Sequence, residues 1–277
     1  MHTSATTNAT TATAHAASGG SAQPAGPTVL QRLMGDDVAS WMPAGIAPFA
    51  LMRVRQDATL TVEGAPARCV YLVQGGQFKT VRTDEDGYEQ VQDFADRHDL
   101  LGCDALADGR YASSAVALEE SWVYALPTSD LQGLVRQSPA FAARWQAAMA
   151  RQILRAGDRA WLMGAVGAEK RVARFVLLAA RRQAERGEPA HRVRLHMGRR
   201  DVASHLGLAH ESVSRSLTVL SAAGMLAVHN RDITLTDPAA LRAFASSTRG
   251  YPDLRRQQTR GGGHRSDGST ASAATPA

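Results

Sequence analysis

Four residues of one short segment have the types and spacing to do recognition chemistry: His210, Glu211, Ser214 and Arg215. They fall outside the apolar stripe laid down by Leu208, Val213, Leu217 and Leu220, so a helix through these positions carries them on its open side. An arginine so placed can pair bidentately with guanine, and a glutamate can accept from the cytosine amino group. That helix needs a support. Val202, Ala203 and Leu206 supply the apolar face of a preceding short helix, and Gly207 can take the positive φ of a sharp break. Ala203 is small where two crossing helices must approach closely. This is helix-turn-helix spacing, in which the second helix enters the major groove. An ordinary helical hairpin with a solvated polar face is the competing reading of this segment taken alone.

The residues that follow favour the recognition unit. Gly224 is followed by two short apolar runs, 225–228 and 233–236, which flank the polar turn His229-Asn230-Arg231-Asp232. That is a hairpin signal, and it makes the motif a winged helix-turn-helix. Arg199, Arg200, Ser212 and Arg231 are candidates for phosphate contacts, which position a protein on DNA but carry no sequence information.

The charge is unevenly divided. Residues 1–27 hold no charged side chain, residues 28–139 hold 9 basic and 16 acidic residues, and residues 140–277 hold 22 basic and 10 acidic. The basic half contains the helix-turn-helix, as an electrostatic footprint on DNA requires. The two cysteines, Cys69 and Cys103, cannot form a disulfide framework or a site needing four thiolates. No apolar run reaches the roughly 20 residues of a membrane span, and the N-terminus lacks the pattern of a secretory signal. A cytoplasmic protein without a membrane partner is expected.

The elements around the motif suggest an α+β chain of several parts. Residues 1–27 and 249–277 are poor in large apolar side chains and are expected to be disordered tails. Between them lie a β-barrel domain (28–139), a long helix (140–165) and the winged helix-turn-helix (166–239). In the barrel, short β segments alternate with turns. Val70-Tyr71-Leu72-Val73 runs into Gln74-Gly75-Gly76, and 78–81 runs into Asp84-Glu85-Asp86-Gly87. From residue 129 to about 164 the period is helical. Trp145, Met149, Ile153, Ala156, Ala160 and Met163 recur at spacings of three or four. Such a stripe is either the core face of a helix lying on its own domain or a dimer seam; we take the seam as the expectation.

In the order barrel, long helix, winged helix-turn-helix, the chain resembles the CRP/FNR family of bacterial transcription regulators over roughly residues 45–245. Leu72-Val73-Gln74-Gly75-Gly76 looks like the family's barrel hairpin, and Asp99-Leu100-Leu101-Gly102 like its second glycine turn. Glu211-Ser212-Val213-Ser214-Arg215 matches the FNR-type recognition helix, Glu-x-x-Ser-Arg. Glu89-Gln90 and Gly224-Met225-Leu226-Ala227-Val228 are similar to the same branch. The resemblance implies a cyclic-nucleotide-binding-like barrel of jelly-roll type and a homodimer. It also implies a palindrome resembling TTGAT-N4-ATCAA read by Glu211, Ser214 and Arg215, with His210 beside them. The loop of Asp84, Glu85, Asp86 and Gly87 is implied to contact RNA polymerase.

The departures are as informative. Residues 1–68 contain no cysteine, and Tyr124 stands where the FNR barrel has one, so the iron–sulfur cluster of FNR is not expected. In place of the glutamate of a cyclic-nucleotide pocket the chain has Cys103-Asp104, and Arg110 and Ser113 do not form the Arg-Ser pair, so cyclic AMP is not expected either. Ala209 replaces the usual Ser or Thr cap of the recognition helix. No cofactor, metal or catalytic residue is assigned and no effector is marked. A barrel with a cyclic-nucleotide-like effector stays open as the alternative. A cupin-like metal enzyme would need a ligand cluster, and His98 is the single histidine of the barrel.

Overall fold

The computed structural model describes residues 49–247, so both tails read as disordered lie outside the described residues, with the first part of the barrel domain. Eight strands form the barrel: β1 (Ala50–Val54), β2 (Thr59–Thr61), β3 (Cys69–Gly75), β4 (Phe78–Thr83), β5 (Glu89–Ala95), β6 (Leu100–Leu101), β7 (Ser114–Ala117) and β8 (Ser121–Pro127). They pair antiparallel in two four-stranded sheets, ordered β1-β8-β3-β6 and β2-β7-β4-β5. This is the jelly-roll arrangement.

The apolar run of β3 has a simple cause. Val73 and Val123 point into the barrel against Phe78, Ala115 and Ala117, while Val70, Leu72 and Leu126 point outward beneath helices. A strand buried on both faces reads as a continuous apolar run. The covering helices are α1 (Thr128–Gln137) and α2 (Pro139–Met163). The single helical stretch expected from residue 129 onward is therefore two helices. Pro139 has no N–H to continue the ladder, and the Ser138 hydroxyl accepts from the Phe141 N–H at 3.2 Å to cap the second helix.

The C-terminal part comprises α3 (Ala168–Glu185), β9 (Arg192–Arg194), α4 (Arg199–Leu206), α5 (His210–Ala222), β10 (Leu226–His229), β11 (Asp232–Leu235) and α6 (Pro238–Ser246). The expected hairpin is β10–β11, and β9 adds a third strand, in the order β10-β11-β9. Three residues are too few to give a periodic signal, so β9 is a product of pairing: Val193 lies opposite Ile233 and both are buried.

These elements do not hang free of the barrel. Val81, Val91 and Phe94 on the outer side of the second sheet belong to the same apolar cluster as Phe175 on α3 and Leu206 on α4. The open edge of β5 is answered group by group. The Val91 N–H donates to the Ser204 hydroxyl at 2.9 Å, and that hydroxyl donates to the Glu89 carbonyl at 3.0 Å. Arg159 and Arg182 donate to the carbonyls of Gln92 and Phe94. A second tie lies at the far end of β5, where Arg155 of α2 grips the buried carboxylate of Asp99 through both guanidinium arms. Removing one partner of such a pair leaves an uncompensated charge, at a cost of about 3–5 kcal/mol. Arg155→Met is accordingly expected to lower unfolding stability by about 3 kcal/mol in denaturant titration. A loss under about 0.5 kcal/mol, the range of ordinary surface changes, would show that Asp99 is hydrated once Arg155 is gone.

Candidate nucleic-acid interface

The turn between α4 and α5 is made by Gly207, which sits at φ 58°. Its N–H donates to the Ser204 carbonyl at 3.2 Å, and the Leu208 N–H donates to the Ala203 carbonyl at 2.9 Å. A side chain on residue 207 would be strained by its positive φ, and its Cβ would stand 3.1 Å from the Met163 methyl. Val202, Ala203 and Leu206 meet Val213, Leu217 and Leu220 in the buried core, which fixes the angle between the helices. The absence of a side-chain cap at Ala209 is visible here. The Ser212 and Val213 N–H groups turn to the Ala209 carbonyl, and no side chain answers the first turn.

With one face of α5 buried, the opposite face carries His210, Glu211, Ser214 and Arg215, all exposed. Neither Glu211 nor Arg215 has a hydrogen-bond or ion-pair partner among the described residues. Thr218 extends the same face one turn further and was not singled out from the sequence, although its place four residues after Ser214 outside the apolar stripe would have found it. Its hydroxyl donates to the Ser214 carbonyl at 3.1 Å.

The four candidates for phosphate contact are placed differently from one another. Arg200 is exposed and has no partner among the described residues, whereas Ser212 is half-buried. Arg199 lies in the groove between α5 and the wing, beside Ser214, Thr218 and Val228, and one guanidinium arm donates to the Asn230 carbonyl at 2.7 Å. Burial lowers its pKa from the ordinary value. Arg231 donates to the His196 carbonyl at 3.0 Å. Thus Arg199 and Arg231 brace the wing turn, and Arg200 reaches solvent unengaged.

On α2 the six stripe residues part company. Trp145 is buried against the barrel, stacked with Phe141, and Met149 packs at the margin of the same cluster. Ile153 (73% exposed), Ala156, Ala160 and Met163 face outward. A cleaner exposed series lies beside them. Ala143, Ala147, Ala150, Leu154, Gly157 and Trp161 are all exposed, at alternating steps of four and three. This is the a/d rhythm of a coiled coil, with small residues where two helices can approach closely.

Comparison with known proteins agrees with this architecture. Residues 51–138 match the cyclic nucleotide-binding domain, and residues 170–244 match the Crp-like helix-turn-helix domain. The fumarate and nitrate reduction regulatory protein of Salmonella typhimurium is 34% identical over 196 residues, covering 71% of this chain and 78% of that protein. The chain belongs to the CRP/FNR family of transcription regulators. The anaerobic regulatory protein of Pasteurella multocida is 32% identical, covering 71% of this chain and 72% of its own. Among solved structures, FixK2 from Bradyrhizobium japonicum aligns with a TM-score of 0.66 at 27% identity, over 73% of this chain and all of that one. A CooA mutant from Carboxydothermus hydrogenoformans aligns at 0.62 with 18% identity, a likeness of fold.

A CRP/FNR barrel raises the question of a cyclic nucleotide. The segment that departs from the cyclic-nucleotide pattern in sequence packs against the barrel itself. The Tyr111 ring packs onto Gly102, so closely that a Cβ there would lie 2.6 Å from it, and its hydroxyl donates to the Cys69 carbonyl at 2.8 Å. Asp104 accepts from the Ala112 N–H, and Arg110 donates to the Gly64 carbonyl. Asp104 and Arg110 thus each make a hydrogen bond within the barrel. The cysteines are half-buried free thiols, and burial pushes Cys103 up to about 11 and raises Cys69 as well. Both are therefore thiols and not thiolates at neutral pH. Among the described residues no cluster of three or more His, Cys, Asp or Glu could hold a metal ion, and no helix is long and apolar enough to cross a membrane.

One titratable group stands at the base of the reading unit. His205 on α4 lies between the rings of Phe94 and Phe175, with centroids 5.1 and 5.9 Å away. Burial lowers its pKa below the ordinary 6.5; Arg159 and Arg182 lower it further and Asp93 opposes them. The unfolded chain therefore takes up a proton that the folded chain refuses. This contribution to stability is present above pH 6.5 and is lost as the pH falls below it. His205→Leu should flatten the acid side of the stability–pH curve from thermal melts. An unchanged slope would mean that His205 is protonated in the folded protein.

Proposed function

We propose that this CRP/FNR regulator is a cytoplasmic homodimer that binds a palindrome resembling TTGAT-N4-ATCAA. Glu211, Ser214 and Arg215 read base edges, and His210 lies beside them at the start of the helix. Arg200 takes a phosphate, while Arg199, Ser212 and Arg231 shape and flank that contact. The observation that carries the reading is the unengaged state of Glu211 and Arg215 on an exposed helix face whose opposite face is locked into the core. Charged side chains of this length, carried in solvent on a helix whose other face is fixed, are available for base contacts. The half-site sequence itself rests on the match of Glu211, Ser214 and Arg215 to the FNR-type helix.

The dimer seam in this reading is the exposed series on α2. Ala143, Ala147 and Ala150 allow close approach, Leu154 is the main apolar knob at 69% exposed, and Ile153 flanks it. The loop of Asp84, Glu85, Asp86 and Gly87 is fully exposed between β4 and β5, which suits a contact with RNA polymerase. The barrel takes no cyclic nucleotide at the Gly102–Tyr111 position, because that space and its polar groups are already occupied.

Fluorescence anisotropy with the TTGAT-N4-ATCAA duplex tests the reading head. Arg215→Ala should weaken binding at least about tenfold, the loss of one good base pair of contacts per half-site. Cyclic AMP should leave the wild-type curve unmoved. Equal affinity of variant and wild type would remove Arg215 from the reading set. Analytical ultracentrifugation tests the seam. Leu154→Glu should shift the protein from dimer to monomer, and a variant that stays dimeric would place the interface elsewhere.

A further inference from the structure

Between the barrel and helices α2 and α3 lies a cavity of about 380 Å³. Its floor is apolar, formed by Leu72, Leu100 and Ala148. Its walls carry five arginines: Arg97 from the turn between β5 and β6, Arg151 and Arg155 from α2, and Arg182 and Arg186 from α3.

Three of these are committed. Arg155 holds Asp99, Arg182 reaches Asp93 at 3.4 Å, and Arg186 reaches Asp96 at 3.1 Å. Glu185, which also lines the cavity, lies 3.6 Å from Arg181, which it shares with Asp158. Arg97 and Arg151 have no hydrogen-bond or ion-pair partner among the described residues, and they enter from different elements. Two guanidiniums of the cavity are therefore left without a partner, above an apolar floor. Guanidinium forks prefer the bidentate geometry of phosphate or carboxylate oxygens. A phosphomonoester carries close to two negative charges at neutral pH, which matches the pair. The volume suits a small ligand held by polar groups with one apolar side.

We propose that this cavity binds a small organic phosphate. Arg97 and Arg151 take the phosphoryl oxygens, and the organic body rests on Leu72, Leu100 and Ala148. The site is separate from the Gly102–Tyr111 segment discussed above. Its walls come from the barrel, from α2 and from α3, the first helix of the DNA-binding part. Occupancy therefore ties the two parts together at a point away from the recognition helix.

Isothermal titration of the purified full-length protein with phenyl phosphate, in the absence of DNA, tests this directly. One saturable site per chain is expected. Arg97→Gln with Arg151→Gln should weaken it at least about tenfold, since each loses a hydrogen bond to a charged group. Both residues are exposed and unpartnered, so the variant should melt like wild type. Arg136→Gln, an exposed arginine on α1, should bind as wild type does. Inorganic phosphate should bind more weakly than phenyl phosphate because it leaves the floor uncovered. Absence of phenyl phosphate binding, or equal binding by the double variant, would overturn the site. Tighter binding of phthalate than of phenyl phosphate would overturn the phosphate class. No DNA enters this experiment, so its failure leaves the proposed DNA reading standing.

Discussion

Strand β5 is the edge of its sheet, and an edge strand presents backbone donors and acceptors that must find partners. Here the partners are side chains of the elements that follow the barrel. Ser204 bridges Val91 and Glu89, Arg159 takes Gln92, and Arg182 takes Phe94. Val91 and Phe94 sink into the same apolar cluster as α3 and α4. Lys79 on β4 adds an ion pair to Asp201 at 2.8 Å, and Asp201 also accepts from the Gly198 N–H that opens α4. The edge is thus covered by the helix that supports the reading helix. Because Gly207 and the shared core make α4 and α5 one rigid unit, the direction in which Arg215 points is set on the barrel.

An acidic series extends the same dependence. Asp93, Asp96 and Asp99 follow one another at steps of three, at the end of β5 and into the turn beyond it, and each meets an arginine from α2 or α3. The Arg182–Asp93 and Arg186–Asp96 pairs are half-buried, and water still reaches both partners. The Arg155–Asp99 pair differs, because the aspartate is 4% exposed and its carboxylate would otherwise be stranded. Burial raises the pKa of Asp99 and the arginine opposes that shift. The excess negative charge of the barrel half is therefore not only a surface property. Part of it faces the basic half across an internal boundary.

Helix α2 serves two partners at once. Phe141, Trp145, Ala148 and Leu162 lie against its own chain, while the series from Ala143 to Trp161 stays outside. The stripe read from the sequence lay between these two faces, sharing Trp145 with the buried one and no residue with the exposed series. A helix apolar over more than half its circumference gives no periodic signal sharp enough to divide it. Only the position of the barrel shows which residues are already spent. Trp161 shows the same point on a smaller scale, since its ring is covered in part by Arg174, 4.4 Å from the centroid.

Much of the reading head was legible in the residues themselves. The Gly207 turn, the apolar faces of α4 and α5, the exposed Glu211, Ser214 and Arg215, and the β10–β11 hairpin are local. Their determinants lie within a few residues of one another, where periodicity and backbone preference act directly. The jelly-roll was legible as class and not as pairing, because β8 lies between β1 and β3 only after the chain has closed on itself. What the tertiary structure decided involves partners far apart in the chain. Ser204 and Val91 are separated by 113 positions, and Arg155 and Asp99 by 56. Spacing cannot announce such contacts, since a serine on a helix and a free strand edge each look complete alone. The sequence by itself determined that a helix-turn-helix exists and which side chains its second helix offers. Only the packed molecule decided which arginines were free to meet an anion, which face of α2 remained open, and where the reading helix was held.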